Sequence, residues 1–372
     1  MVSDFDQTVI VNLEELIPSD HFLRRLKDLF PWDVWAEPFE KCFKGEKEYG
    51  PRGYPVSVLL KMTVLSYLFN LSDPQTEIFV KENMPARYFV GLGLHQPIPD
   101  ETTLCRFRGR IVSQKRGDLL NELFGRVINK AEKLGIEIGR VQILDSVHTK
   151  SKINPDKERR QERENESRDD EPKFPKDPDA TWGCKGSRRR KDPETGEIKE
   201  HPVWFYGYKT HVSHNQKTNL VTSLLVSTGK DADVSASRFL LEADMAKGYK
   251  PTVVTGDKAY DDIDLYTFCG KHEIFPAIAL KITRLTQKSE KRRKKWEEHI
   301  KALFYRKALG KRYKVEQKFG EGKHSHGLGV CRYTGLGKFM FQSAFTFLSM
   351  NLKRILKLVT LPIKKLQLCR AG

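Results

Sequence analysis

Three acidic residues, far apart in the chain, have the chemical type and the setting to bind divalent metal together. Asp145 follows the apolar stretch at residues 141–144, and Asp257 follows a second one at residues 252–256. Short apolar runs of this kind predict buried β-strands, and ligands of open α/β sheets collect at the carboxyl ends of the strands. Glu316 lies later, in a stretch with helical spacing. Three carboxylates that converge there would supply the oxygen ligands that Mg²⁺ prefers.

Each acid also has an ordinary structural interpretation. Aspartate is common after strands because it favours turns and helix N-caps. Glu316 stands among many lysines, where a glutamate is often the partner in an i,i+4 ion pair. The metal-binding interpretation therefore needs a polyanionic substrate as well as the three acids.

The stretch around Glu316 predicts a helix with an apolar edge. Arg312, Glu316 and Phe319 share one helical face, and this spacing lets the helix pack on a sheet while Glu316 points into a site. Gly320 and Gly322 are predicted to end the helix. Lys323 would then follow in a loop.

The charge of the chain is strongly basic and unevenly distributed. The 372 residues contain 66 Lys and Arg against 49 Asp and Glu, a net charge of +17. Eleven of these charges fall between Lys281 and Lys323, which holds sixteen Lys and Arg and five Glu. The densest run consists of Lys291, Arg292, Arg293, Lys294 and Lys295. Such a run is often a solvated helix face, but its one-sided charge favours a nucleic-acid phosphate backbone as partner.

Membrane and secretory classes fit the sequence less well. The most apolar helix candidate, residues 339–361, is interrupted by Lys353, Arg354 and Lys357, so it lacks the apolar run that a spanning helix needs. The acidic start has no signal-peptide character, and the six widely spaced cysteines form no CxxC pair. We expect a cytoplasmic protein with reduced thiols and no membrane partner.

The first 135 residues predict a helical amino-terminal domain. It begins with a lead-in at residues 5–48, continues with a core helix from Val56 and a Ser72 helix cap, and closes with a helix over residues 117–134. Arginines at positions 106, 108 and 110 could place this domain on DNA, or they could form a solvated face.

Residues 136–360 predict an α/β domain, followed by a tail at 361–372. Residues 153–200 are charge-dense and poor in apolar side chains, so we expect a mobile insertion after the first strand. A β-hairpin at residues 204–213 and 219–228 then leads through a helix at 235–247 to the strand before Asp257. The two aspartates thus lie on the first and last strands of this series.

Over most of its length the sequence resembles the DDE transposases of bacterial insertion sequences. The amino-terminal motifs are LSYLFNLS at 65–72, YFVGL at 88–92 and PDETTL at 99–104. The strand that ends in Asp145 and the motif GDKAY at 256–260 match the first two acids of that family. Arg312, Glu316 and Lys323 match its arginine, glutamate and lysine, and residues 351–354 resemble its closing helix. The family tyrosine falls at Leu309, which is a departure.

This resemblance implies a ribonuclease-H-like catalytic domain behind an all-α amino-terminal domain. It implies that Asp145, Asp257 and Glu316 are catalytic and bind two Mg²⁺ ions, with Mn²⁺ as a substitute. Arg312 and Lys323 would contact DNA phosphates, whereas His148 and His211 are not needed as bases. The implied reaction is cleavage at the ends of the element and strand transfer into target DNA.

The same resemblance implies double-stranded DNA as partner, a homodimer when bound to it, and a place at the nucleoid. Two alternatives stay open. One is a nuclease of the same fold without strand transfer, and the other is an inactive or domesticated relative that only binds DNA.

Overall fold

The computed structural model describes residues 12–43, 53–166, 176–191, 197–286 and 288–368. The chain forms two compact units, Met1–Gln114 and Lys115–Gly372. The division differs from the predicted boundary at residue 135, because the helix over residues 117–133 belongs to the second unit. Parts of the predicted lead-in at residues 5–48 lie outside the described residues.

The described part of the first unit is helical. Its helices are α1 Leu13–Leu16, α2 Phe22–Leu29, α3 Trp32–Glu40, α4 Val56–Leu68, α5 Asp73–Glu82, α6 Met84–Val90 and α7 Glu101–Ser113. Helix α4 is buried on almost every side and forms the centre of the unit. Ser72 and Gln75 close a capping box at the start of α5, as the sequence predicted. A buried ion pair of 2.7 Å between Arg108 and Asp73 joins α7 to α5, so this arginine supports the fold.

The second unit combines a mixed sheet with helices. Its strands are β1 Val141–Lys150, β2 Thr181–Lys191, β3 Ile198–Asn215, β4 Val221–Thr228, β5 Val253–Gly256 and β6 Phe275–Ile278. Its helices are α8 Gly117–Lys133, α9 Pro155–Glu166, α10 Ser237–Ala246, α11 Ile263–Lys271, α12 Ile282–Leu285, α13 Glu290–Lys301, α14 Leu303–Leu309, α15 Tyr313–Ser325 and α16 Leu336–Leu368.

The strands of this unit form one mixed sheet in the order β2-β3-β1-β5-β6, with β4 also paired to β3. Strand β3 lies antiparallel between β1 and β4, and β1, β5 and β6 run parallel. Helices α10 and α11 cover one part of the sheet through a core that contains Leu144, Leu240 and Val254. This arrangement confirms the ribonuclease-H-like α/β fold preceded by a helical region.

The predicted mobile insertion at 153–200 is partly built into this sheet. Strand β2 pairs with the first half of β3 over two stretches separated by an irregularity. Just before it, Asp177 is fully buried and accepts hydrogen bonds from the Ser151 and Tyr208 hydroxyls and from the Gly335 N–H. The composition of this segment did not predict β2, because the strand is held by pairing with the long strand β3 and by these polar contacts, and less by apolar burial.

The carboxyl-terminal helix α16 packs along the sheet and is buried over much of its length. Its start is fixed by Asp179, which accepts a hydrogen bond from the Leu336 N–H at 2.8 Å. Further along, the Asn351 side chain pairs with both backbone groups of Val221 on β4. Among the described residues, α16 included, no helix combines the length and the apolar composition that membrane crossing requires.

Candidate active site

Two neighbouring strands bring Asp145 and Asp257 to the same level of the sheet. Strands β1 and β5 are parallel, and Ile143 pairs with Thr255. Asp145 and Asp257 each lie two residues further along, so both carboxylates emerge on adjacent strands at one height. Asp257 directly follows β5 and caps the next turn, where its carboxylate accepts the Ala259 N–H at 2.8 Å.

A cleft of about 520 Å³ collects all three predicted acids. Helix α15 forms one wall, and the others are formed by β1, β3, the start of β2 and the segments that follow β4 and β5. The cleft is lined by Asp145, Ser146, Val147, His148, Cys184, Lys185, Phe205, Lys209, Asp233, Asp257, Arg312, Glu316, Phe319, Gly320 and Lys323. Four carboxylates and four cationic side chains therefore face one space.

Asp145 lies in a costly position for a negative charge. Burial raises the pKa of its carboxyl group to about 7, and the carboxylates of Asp257 and Asp233 also raise it. A hydrogen bond from the Ser146 N–H and the charge of Arg312 act in the opposite direction. A cation that joined this group would keep it ionised.

Arg312 is the protein cation nearest to that carboxylate. Its guanidinium lies 3.3 Å from Asp145 Oδ2 and 2.8 Å from Glu316 Oε1. The i,i+4 ion pair that offered an ordinary role for Glu316 is thus present. The same arginine nevertheless also contacts Asp145, so the pair belongs to the cleft. The Glu316 side chain is 56% exposed and stays accessible.

Helix α15 does not end at its glycines, so the prediction that placed Lys323 in a loop was wrong. The helix continues to Ser325, and Lys323 lies on the cleft side, seven residues or about two turns after Glu316. Its ammonium lies 3.5 Å from His148 Nε2. Burial, together with the charge of Lys323, lowers the pKa of His148 to about 4. The ring is therefore neutral and can accept a hydrogen bond from the Lys323 ammonium.

The sequence did not single out Asp233 and Lys209, although both line the cleft. Asp233 follows β4 and accepts a 2.9 Å hydrogen bond from Lys209 on β3. Lys209 also donates to the Asp231 carbonyl oxygen at 2.8 Å. His211, two residues along β3, is fully buried and bonds to the Ser227 hydroxyl at 2.8 Å. The signal in the sequence was the acidic pair Asp231 and Asp233 at the end of a predicted strand.

The carboxylates fit a divalent cation by the chemistry of their oxygen donors. The guanidinium between Asp145 and Glu316 occupies the kind of position that a cation between carboxylates would take. Within the described residues, no three acidic, His or Cys side chains are already close enough to hold a metal ion. Glu316, exposed and on a helix surface, is the group that must turn away from Arg312 to complete such a site.

The predicted basic run lies away from the cleft. Residues 291–295 are on α13, and none of the four whose side chains are described, Lys291, Arg293, Lys294 and Lys295, lines the space around the three acids. Arg293 and Lys294 form exposed i,i+4 pairs with Glu297 and Glu290, at 3.5 and 2.9 Å. Pairs of this kind contribute little to stability.

Leu309, at the position of the family tyrosine, lies in an apolar cluster. Leu309 packs beside Val253, Ala277 and Tyr305 under β5 and β6. The Tyr305 hydroxyl donates to the Ile278 carbonyl oxygen at 2.9 Å, so this tyrosine supports the sheet. Leu309 therefore serves as an apolar contact in the helix before α15.

Comparisons with known proteins match both parts of the chain. Residues 11–110 match the model of a transposase domain (DUF772), and residues 174–352 match the model of a transposase DDE domain. No solved structure matches the chain at a significant level.

Proposed function

The chain belongs to the DDE transposases of insertion sequences, and from this we propose that it cleaves DNA at the ends of its element and transfers the strands to target DNA. Transposases act on DNA, and the family generally uses divalent metal. The finer assignment to this chain rests on one observation. Asp145, Asp257 and Glu316, which the sequence separates by 112 and 59 residues, line one cleft.

Three carboxylates would hold the metal ions. Asp145, on the central strand, would be shared by two Mg²⁺ ions, while Asp257 and Glu316 would each complete one. Bound there, such ions activate a water nucleophile and stabilise the charge on the phosphate, and Mn²⁺ can supply the same chemistry. Arg312 would pass from the carboxylates to a DNA phosphate, since a guanidinium can contact phosphate oxygens in a bidentate manner.

The chemistry proceeds as two displacements at phosphorus. In the first, a water oxygen forms a bond to phosphorus and the bond to the 3′ oxygen breaks, which frees a 3′-hydroxyl at the element end. In the second, the oxygen of that hydroxyl forms a bond to the phosphorus of a target phosphodiester, and the bond from this phosphorus to the target's own 3′ oxygen breaks, which leaves a 3′-hydroxyl on the target strand. His148 is neutral and next to Lys323, so it would position that lysine near the phosphate.

Replacing Asp145 by Asn tests the metal site. We expect Asp145→Asn to abolish Mg²⁺-dependent cleavage of a duplex that carries the element end, because the shared carboxylate is lost. DNA binding should be largely retained. Cleavage is measured on a labelled duplex and binding by fluorescence anisotropy in EDTA. Asp264→Asn, the same change at an exposed carboxylate on α11 outside the cleft, is the matched control.

Full cleavage by Asp145→Asn would remove Asp145 from the mechanism. If the wild type cleaves DNA but never joins the freed 3′-hydroxyl to a target plasmid, the protein is a nuclease of the same fold. Binding without any cleavage would identify an inactive relative. Joined products in the wild type, and none in Asp145→Asn, are the result expected of a transposase.

A further inference from the structure

Helix α15 has a second cavity on the face that points away from the cleft. Glu316, Phe319, Gly320 and Lys323 face the cleft, whereas the stripe of Lys314, Gln317, Lys318 and Glu321 faces a pocket of about 420 Å³. The two stripes have the same spacing and are offset by two residues, which places them on opposite sides of the helix.

Helix α16 supplies the other wall of this pocket. Met350, Lys353, Arg354 and Lys357 follow one another at helical spacing and line the same space. Asn219, from the turn between β3 and β4, closes the pocket. Five cationic side chains therefore share a pocket with a single carboxylate, that of Glu321.

The carboxylate of Glu321 is already engaged. It lies 3.3 Å from the ammonium groups of Lys318 and Lys353, and 3.8 Å from the ring of His326. Hydrogen bonding to His326 and these two positive charges hold the pKa of Glu321 well below its usual value. Lys318 is only 6% exposed, so Glu321 serves mainly to offset a buried charge.

The other three cations form no close ion pair with a carboxylate in the described part of the chain, although the charge of Glu321 acts on Arg354 at longer range. Lys314 donates to the Gln216 carbonyl oxygen at 2.7 Å, and Arg354 donates through Nε to the Thr218 carbonyl oxygen at 2.8 Å. These contacts orient the side chains but leave their charge in place. Lys357 is exposed at the rim. Mutual repulsion in this half-buried space would be relieved by a bound anion.

The lining favours a phosphate group over a whole nucleotide. Met350 is the apolar side chain of the pocket, and no aromatic residue among its lining residues offers a surface on which a base could stack. An arginine and two lysines converging on one space are suited to the oxygens of a phosphate.

We propose that this pocket between α15 and α16, walled by Lys314, Arg354 and Lys357, binds a phosphodiester group of duplex DNA separate from the strand in the cleft. The pocket and the cleft lie on opposite faces of one helix, roughly 10 Å across, so one phosphate cannot occupy both. The inference builds on the proposed function. It adds a second phosphate contact on the helix that carries Glu316, so that DNA would contact α15 on two opposite faces.

The salt dependence of DNA binding tests the pocket. The double variant Lys314→Gln/Lys357→Gln removes two unpaired charges, and the matched control Lys133→Gln/Lys338→Gln removes two exposed charges outside the pocket. Binding of a labelled duplex to the full chain is measured in EDTA over a range of salt concentrations. The slope of log K against log salt should fall by about 0.9 for each DNA phosphate that is no longer neutralised, and the control should keep the wild-type slope.

A second arm distinguishes DNA from free anions. Inorganic phosphate alone should raise the melting temperature of the wild type only at concentrations far above those of DNA that saturate binding. The proposal is overturned if the slope of log K against log salt for DNA binding is unchanged in the pocket variant. If in that case phosphate stabilises the wild type but not the variant, the pocket is a site for free anions. If the double variant fails to fold, Lys357→Gln alone, at an exposed position, carries the same test.

These outcomes are independent of the proposed reaction. Binding in EDTA requires no cleavage, so a protein that never cuts DNA could still show the altered slope. Conversely, normal Mg²⁺-dependent cleavage with an unchanged slope would reject the pocket and leave the reaction intact.

Discussion

Asp145 combines burial, two acidic neighbours and a single arginine. In the absence of metal, its carboxyl group has a pKa raised to about 7 by burial, from an ordinary value of 3.8. The folded chain therefore binds a proton that the unfolded chain has released between these two values. Ionisation of Asp145 therefore lowers the free energy of unfolding unless a cation binds beside the carboxylate.

The pH dependence of stability should reveal this cost. With EDTA present, the wild type loses stability relative to Asp145→Asn as pH rises from about 4 to about 7, because only the wild type must ionise a buried acid. The difference should reach a few kcal/mol and appear as a higher melting temperature of the variant above pH 7. Calorimetric unfolding of both proteins across this range measures it. Equal differences at both ends of the range would mean that Asp145 is not buried as described.

At the scale of the element, α15 is the helix on which both proposals depend. Gly320 has open space where a side chain would begin, whereas a Cβ at Gly322 would lie 2.9 Å from Leu328 Cδ2 and 3.5 Å from Met350 Sδ. The two glycines therefore have different roles. Gly322 permits close packing against Leu328 and against Met350 of α16, and Gly320 only weakens the helix.

Alanine at each position separates these roles. Gly320→Ala should raise the free energy of unfolding by up to about 1 kcal/mol, because alanine favours the helix. Gly322→Ala should lower it by about 1 kcal/mol or more, because the buried Leu328 has little room to move. Chemical denaturation measures both, each variant serving as the control for the other. Equal effects of the same sign would contradict the packing described for α15.

The same helix shows why part of the site was predictable. Asp145 and Asp257 follow short apolar runs that are visible in sequence, although β1 continues past Asp145 to Lys150, so only Asp257 lies at a strand end. Asp233 follows a hairpin that was predicted, but its place beside Asp145 depends on β3 pairing with β1 across the charged insertion, which is a long-range contact. Lys323 was assigned to a loop because two glycines usually weaken a helix, whereas packing against Leu328 and Met350 keeps α15 intact. Strand β2 was hidden by its charged composition, although its pairing partner β3 is the next strand in the chain.

For the whole molecule, the net charge of +17 is spread over several surfaces. The run at residues 291–295 lies outside the cleft, so it would add to DNA affinity without taking part in chemistry. We expect Lys291→Gln/Lys295→Gln to reduce the salt slope of DNA binding, by up to about 0.9 for each lysine that neutralises a phosphate, while bound DNA is still cleaved. The Lys133→Gln/Lys338→Gln protein is again the control. An unchanged slope would mean that the run is a solvated helix face.

The number of cleavage sites in each chain bears on the assembly. The three acids line one cleft in the described part of the chain, whereas the proposed reaction cuts both ends of an element. If the described residues hold the cleavage site of each chain, two chains on a pair of ends would be the smallest assembly that cuts both at once. We expect light scattering to give the mass of two chains bound to two end duplexes, with the catalytically inactive Asp145→Asn protein used to prevent turnover.

Mixing this variant with the wild type should then leave complexes in which only one end is cleaved. If every complex cuts both ends or neither, one chain must act on the two ends in turn.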